Sequence, residues 1–285
     1  MSATAAPAGL PAEQAVMAQA GAENFPVASR LLPRHVRGHL LAIYGYARLV
    51  DDTGDAAAGD RLGMLDWLEL DLERAYAGEP RHPLLRRLAP TLRSCAIPIA
   101  LPRGLIEANR RDQTVSSYES FEELLGYCEL SANPVGRMVL HVLGSATPDR
   151  LELSDRICSG LQVTEHLQDV AEDRRMGRVY LPRNDMERFG CTPLDLDRSP
   201  ASPALRELVA FEVGRARRLL DVGAPLSRTL RGRPRLAVAA FVAGGRAALD
   251  AIEAAGCEVL SGTPRAGRRR RAAALARALV ERGAR

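Results

Sequence analysis

The sequence predicts an all-α protein, and three observations carry the prediction. Hydrophobic residues make up 46% of the 285 residues but aromatic residues only 4%, so the core is built from Leu, Val and Ala. Ala and Leu are strong helix formers, whereas runs of β-branched and aromatic residues, the usual mark of strands, are scarce. Apolar residues recur at spacings of three and four along most of the chain, which is the helical period.

The elements follow in order. Residues 1–22, rich in Ala, Pro and Gly without a basic start, predict a disordered leader and not a signal peptide. Order is expected from Glu23. Behind a start signal at Pro33, Val36, Leu40, Ile43, Tyr44 and Ala47 predict a helix over Arg34 to Leu49. Asp60 to Ala77 predicts another, with Leu62, Leu65, Leu68 and Leu72 turned inward. Five prolines in residues 79–103 predict short helices joined by turns, and Pro102 to Arg111 continues as a helix. Ser120, with Glu123 three residues on, predicts a capping box. Asn133-Pro134 is expected to interrupt a helix, because proline removes a backbone donor. Ser154 to Arg174, Pro203 to Asp221 and Arg235 to Ala255 predict three long helices, and Gly244-Gly245 a close helix contact.

Several function classes fall away. The longest apolar run, Leu236 to Gly245, is too short to cross a bilayer. Five scattered cysteines without a C-x-x-C fit reduced thiols in a cytoplasmic protein better than a disulfide framework or a zinc site. The net charge of +4 is concentrated at the end of the chain, where Arg265 to Arg285 holds eight arginines and one acid. The rest is near balance, so nucleic acid is not an expected partner. The tail, residues 264–285, suits either a basic amphipathic helix on anionic lipid, giving a peripheral contact with the inner face of a membrane, or a solvated tail.

The chemistry sits in two acidic stretches. Asp51 and Asp55 are four apart, as are Asp169 and Asp173, so on a helix each pair shares one face. Gln162 and Glu165 extend the second pair into a polar stripe among Leu161, Val163, Leu167 and Val170. A solvated helix face would show the same spacing. Against it stand the apolar neighbours and the nearby arginines: Arg48 before the first pair; Arg174, Arg175 and Arg178 after the second. Carboxylates hold Mg²⁺ through one or two oxygens and leave it open to phosphate, and arginines take phosphate oxygens bidentately. The pattern fits a diphosphate held through Mg²⁺.

"AIYGYARLVDDTGD" (Ala42 to Asp55) and "QVTEHLQDVAEDRRMGRVYLP" (Gln162 to Pro182) resemble the two acidic regions of the squalene and phytoene synthases. The resemblance runs from about Glu23 to Gly262. It implies a single-domain isoprenoid synthase bundle, residues 23–263, around a central apolar cavity. "ENFPVAS" (Glu23 to Ser29), "SANPVGR" (Ser131 to Arg137) and Gln168 to Val170 resemble the hydroxysqualene synthase branch, which converts presqualene diphosphate to hydroxysqualene on the hopanoid route. By position, the resemblance makes Asp51, Asp55, Asp169 and Asp173 the Mg²⁺ ligands, with Asp52 behind them or as an occasional ligand. Arg48 and Arg178 would bind diphosphate, Tyr180 would close over it, and Tyr44 would join the catalytic set. Phe25, Tyr127, Ala132, Val135, Gly136, Leu161 and Gln162 would line the cavity; Val135 and Leu161 suit an ordinary core equally well. Freed carbonyls at Asn133-Pro134 would face the reacting cation or the capturing water. Pathway enzymes that supply presqualene diphosphate or consume the alcohol are the expected partners. The chain departs from the family pattern at Gln168, where relatives that join two farnesyl diphosphates have Arg, and at Ala22, where they often have Ser. It also has Glu165 in place of Asn, followed by an unusual His166.

Overall fold

A computed structural model describes residues 6–21 and 32–262. Among these residues the chain forms thirteen α-helices and no strand. They are α1 (Glu13–Ala18), α2 (Arg34–Asp55), α3 (Arg61–Ala77), α4 (Pro83–Ser94), α5 (Ala100–Arg111), α6 (Phe121–Ser131), α7 (Asn133–Val142), α8 (Pro148–Gln168), α9 (Val170–Arg175), α10 (Arg183–Arg188), α11 (Pro203–Gly223), α12 (Leu226–Thr229) and α13 (Gly232–Ala254). Among the described residues no helix is long and apolar enough to cross a membrane. Phe25, Ala22, the "ENFPVAS" stretch and the Arg-rich tail lie outside the described residues. None of the five cysteines forms a disulfide.

The helices fall into two compact units, one from residues 1–114 and 129–151, the other from 115–128 and 152–285. The first unit packs α2 against α3, α4, α5 and α7. Tyr46, Leu49, Leu65, Leu68, Leu72, Leu84 and Ile106 fill its core at 0% exposure. Each such side chain contributes about 1.5–3 kcal/mol of transfer free energy. Leu62 is the exception to the predicted inward stripe: it lies in the first turn of α3, beyond the core, and is exposed. The Asp60 carboxylate caps α3 by accepting from the Gly63 N–H (2.9 Å), and Gly78, at φ +99°, ends it in the left-handed conformation. Part of the expected leader is ordered instead. The Val16 side chain of α1 is fully buried, and α1 packs on α2.

In α6 only half of the predicted capping box forms. Ser120 Oγ accepts from the Glu123 N–H (3.2 Å), but the Glu123 carboxylate accepts from Glu119 N–H (2.8 Å), one residue before the cap. The break before Pro134 occurs as expected: α6 stops at Ser131 and α7 starts at Asn133. Gly104 of α5 lets this corner approach, since a Cβ there would meet Pro134 Cγ at 3.2 Å.

The second unit is built on α8, α11 and α13. Glycines set its helix spacings: a Cβ on Gly223 would lie 2.8 Å from the Leu153 carbonyl oxygen, and one on Gly245 2.7 Å from Leu161 Cδ2. The predicted contact at the glycine pair is therefore made by Gly245. Leu161, half-buried, packs into it.

Candidate active site

The first acidic pair lies in the last turns of α2, which runs six residues further than the spacing of apolar residues predicted. Asp51 is half-buried and Asp55 exposed. Burial pushes the Asp51 carboxyl up to about 7; Asp55 and Asp52 push the same way, while a hydrogen bond from Asn109 and the charge of Arg48 oppose it. Asn109 Nδ2 donates to Asp51 Oδ1 (3.1 Å) and to the Leu105 carbonyl (3.1 Å). One turn on, Gln113 Nε2 donates to the Gly54 carbonyl (3.1 Å). Gly54 is what lets α5 come this close, because a Cβ there would sit 2.9 Å from Asn109 Cγ. Asp52 is engaged by Arg48 Nε (2.9 Å) and Gln19 Nε2 (3.0 Å). Arg48 thus stands at the acidic turn, paired with the middle aspartate. Tyr44, one turn before Arg48, is half-buried. Its near neighbour Tyr46 is a core residue whose hydroxyl donates to the Pro102 carbonyl (2.8 Å).

The second pair is arranged differently from the expected straight helix. The element starts at Pro148 and breaks at Asp169, whose φ of −107° and ψ of 14° separate α8 from α9. The hydrogen bonds survive the break. Asp169 N–H donates to the Glu165 carbonyl (3.0 Å), and the Asp169 carbonyl accepts from Asp173 N–H (2.8 Å). Asp169 is half-buried, Asp173 buried and Glu165 exposed, so the polar stripe descends from solvent into the unit.

Gly177, at φ +79°, turns the chain back after α9. The following Arg178 to Pro182 segment is held against residues 116–119 by Val179 N–H to Ser116 O (2.8 Å) and Arg183 N–H to Tyr118 O (3.0 Å). Tyr180 is thereby placed in an aromatic cluster. It stacks on His166 with centroids 3.7 Å apart and planes 14° apart, on Tyr118 at 6.0 Å, and meets Tyr127 at 5.8 Å. Asp173, His166, Arg178, Tyr180 and Glu212 line one small cavity of about 10 Å³, room for roughly one water. Of the three arginines after this pair, only Arg178 faces it. Arg174 makes a bidentate pair with Asp197 (2.8 and 2.7 Å), and exposed Arg175 donates to the Ala171 carbonyl (3.1 Å).

Gln162 and Leu161 lie on α8 one turn before Glu165, both half-buried. In the first unit Ala132, Val135 and Gly136 flank the α6–α7 break and are half-buried, with Val135 packed on the core. His82 and His39 are satisfied structural residues, His82 capping α4 through the Leu84 N–H (3.2 Å) and His39 meeting Thr91 Oγ1 (2.9 Å). Sequence reasoning missed Asn109, Gln113 and Tyr118. Asn109, on the buried face of α5, and Gln113, two residues beyond its end, show the same four-residue polar spacing as the acids.

The donor chemistry fits a hard cation. Among the described residues no three His, Cys, Asp or Glu side chains form a ready cage. What each unit offers is an acidic pair with one half-buried member, Asp51 or Asp169, the Asp51 carboxyl being pushed up to about 7 by burial and Asp173 Oδ2 being buried without a hydrogen-bond partner. Mg²⁺ takes one or two carboxylates and completes its shell with water and phosphate.

Comparison with known proteins places the chain in a family. Residues 18–273 match the family model of squalene/phytoene synthase. The hydroxysqualene synthase of Zymomonas mobilis is 37% identical over 217 residues, 74% of this chain and 72% of its own. That of Rhodopseudomonas palustris is 38% identical over 214 residues, 73% of this chain and 72% of its own. The crystal structure of the squalene synthase HpnC from Alicyclobacillus acidocaldarius superposes with a TM-score of 0.80 at 42% identity, covering 85% of this chain and 92% of that one. The chain belongs to the squalene/phytoene synthase family and is a terpenoid synthase with the all-α isoprenoid synthase fold. Its relatives named above include two hydroxysqualene synthases and one squalene synthase.

Proposed function

We propose that this enzyme converts presqualene diphosphate to hydroxysqualene with Mg²⁺, as a step of hopanoid and squalene biosynthesis. The observation that carries the reading is a guanidinium beside each acidic stretch: Arg48 pairs with Asp52, between Asp51 and Asp55, and Arg178 lines the same small cavity as Asp173. The hydroxysqualene synthase relatives support the choice of substrate.

In this reading Asp51 with Asp55, and Asp169 with Asp173, would hold Mg²⁺, which when bound would supply positive charge against the departing diphosphate. Arg48 and Arg178 take the remaining diphosphate oxygens. The carbon–oxygen bond breaks with its electron pair going to the diphosphate. Tyr180 closes over the leaving group, and the rings of Tyr118, Tyr127 and Tyr180 offer apolar surface and π faces to the cyclopropylcarbinyl cation left behind. Tyr44, Ala132, Val135, Gly136, Leu161 and Gln162 are the residues assigned to shielding the cation from bulk water while it rearranges. A single water then adds its oxygen to carbon and loses a proton, so an alcohol forms without a hydride donor.

The second reading is condensation of two farnesyl diphosphates, favoured by the 42% identity to a squalene synthase. The two separate in one experiment. Purified enzyme, presqualene diphosphate and Mg²⁺ in ¹⁸O-water without NADPH should give hydroxysqualene carrying one ¹⁸O. Product formed only from farnesyl diphosphate, or squalene formed only with NADPH, would favour the second reading.

A further inference from the structure

His166 joins three residues that sequence reasoning singled out separately. Its Nε2 lies 3.2 Å from Gln162 Nε2, its ring is stacked on Tyr180 at 3.7 Å, and its Nδ1 lies 3.8 Å from Asp173 Oδ2. The amide nitrogen of Gln162 can only donate, so the imidazole Nε2 accepts. In the neutral ring the proton then sits on Nδ1, on the side of Asp173. Asp173 Oδ2 is buried and has no hydrogen-bond partner of its own. A buried carboxylate oxygen left so is costly, and a donor one short movement away is the group that can satisfy it. The exposed Glu165 beside it is not in that position.

We propose that His166 is a positioning residue for the second acidic pair. Gln162 fixes its tautomer, Tyr180 fixes its plane, and its Nδ1–H is the donor placed to hold Asp173 Oδ2 in an orientation suited to a metal ligand. The same stack fixes Tyr180, so one ring sets both a metal ligand and the residue that closes over the diphosphate. Carboxylates that bind metals are commonly held by such a neighbour, and losing it costs about 10–100-fold in metal affinity. This inference rests on the reading of Asp169 and Asp173 as Mg²⁺ ligands.

The test is Mn²⁺ binding, followed by calorimetry and by the electron paramagnetic resonance signal of free Mn²⁺. His166→Phe keeps an aromatic ring on Tyr180 and removes both nitrogens; it should weaken Mn²⁺ binding roughly 10-fold with the metal-free melting temperature unchanged. His166→Asn returns an N–H donor near the Nδ1 position without the ring and should recover most of that loss. Wild-type affinity in His166→Phe, or equal weakness in both variants, would overturn the proposal. Asp173→Asn separates the two levels. If it binds Mn²⁺ as the wild type does, the metal reading itself fails. If it loses Mn²⁺ while His166→Phe does not, only the role of His166 fails.

Discussion

Gly54→Ala is a sharp test of how the first acidic pair is supported. In an ordinary helix interior the change stabilises by about 1 kcal/mol. Here the new Cβ would overlap Asn109 Oδ1 and sit 2.9 Å from its Cγ, so the Asn109 side chain must leave. Its departure removes the donor to Asp51, a hydrogen bond to a charged group worth about 1.5–3 kcal/mol, and any residual overlap adds about 1–3 kcal/mol. The net expectation is a loss of about 2–4 kcal/mol at pH 8, where Asp51 is ionised. The double variant Gly54→Ala, Asn109→Ala removes the clash and keeps the helix gain, so it should be more stable than Gly54→Ala alone. Urea unfolding at pH 8 in metal-free buffer measures the whole cycle. Additive single effects, or a Gly54→Ala variant as stable as the wild type, would refute the packing of Asn109 beneath Asp51.

Three further outcomes are expected. Burial, the largest cause, pushes the Glu212 carboxyl up to about 7 from its ordinary 4.5, with Asp185 adding to it and Arg215 opposing. The neutral form is the one the fold favours, so this contribution is full below about pH 4.5 and is lost as pH rises through 7; Glu212→Gln should remove on the order of 2–3 kcal/mol of decline between pH 5 and 8 in denaturant titrations. Gly223→Ala should destabilise by about 1–3 kcal/mol, because its Cβ would lie 2.8 Å from the Leu153 carbonyl and 2.9 Å from the Ile157 nitrogen, which cannot move independently; a thermal melt checks it. Arg178→Gln should lower kcat/KM by about 100-fold, the loss of a charge-assisted diphosphate contact, whereas Arg174→Gln, whose guanidinium is spent on Asp197, should leave turnover unchanged.

Much of this was legible in the chain because helical periodicity and start signals are local. Pro33, Asp60 and Pro203 mark helix starts, and the Leu65, Leu68, Leu72 stripe marks a buried face. The acidic pairs were legible for the same reason: four-residue spacing is visible without knowing what packs against it. Features supplied by other elements were not legible. The six residues of α1 are too few to form a stable helix alone and owe their order to burial of Val16. Asn109 reaches Asp51 only because Gly54 has no side chain. Tyr118 joins Tyr180 through a bridge across 62 residues of sequence, which no local pattern announces. The break at Asp169 carries no proline or glycine, so the apolar rhythm runs through it unmarked.

The central claim is that the acidic pairs Asp51/Asp55 and Asp169/Asp173 both act through Mg²⁺ in diphosphate release. The most direct measurement is the rate of pyrophosphate release from presqualene diphosphate as Mg²⁺ is titrated, for the wild type and for Asp51→Asn, Asp55→Asn, Asp169→Asn and Asp173→Asn. Release should depend strictly on Mg²⁺, and a variant from either pair should fall by about 100-fold or more, a loss of roughly 2.7 kcal/mol in transition-state stabilisation. Wild-type release by both variants of one pair, or release that needs no divalent cation, would contradict it.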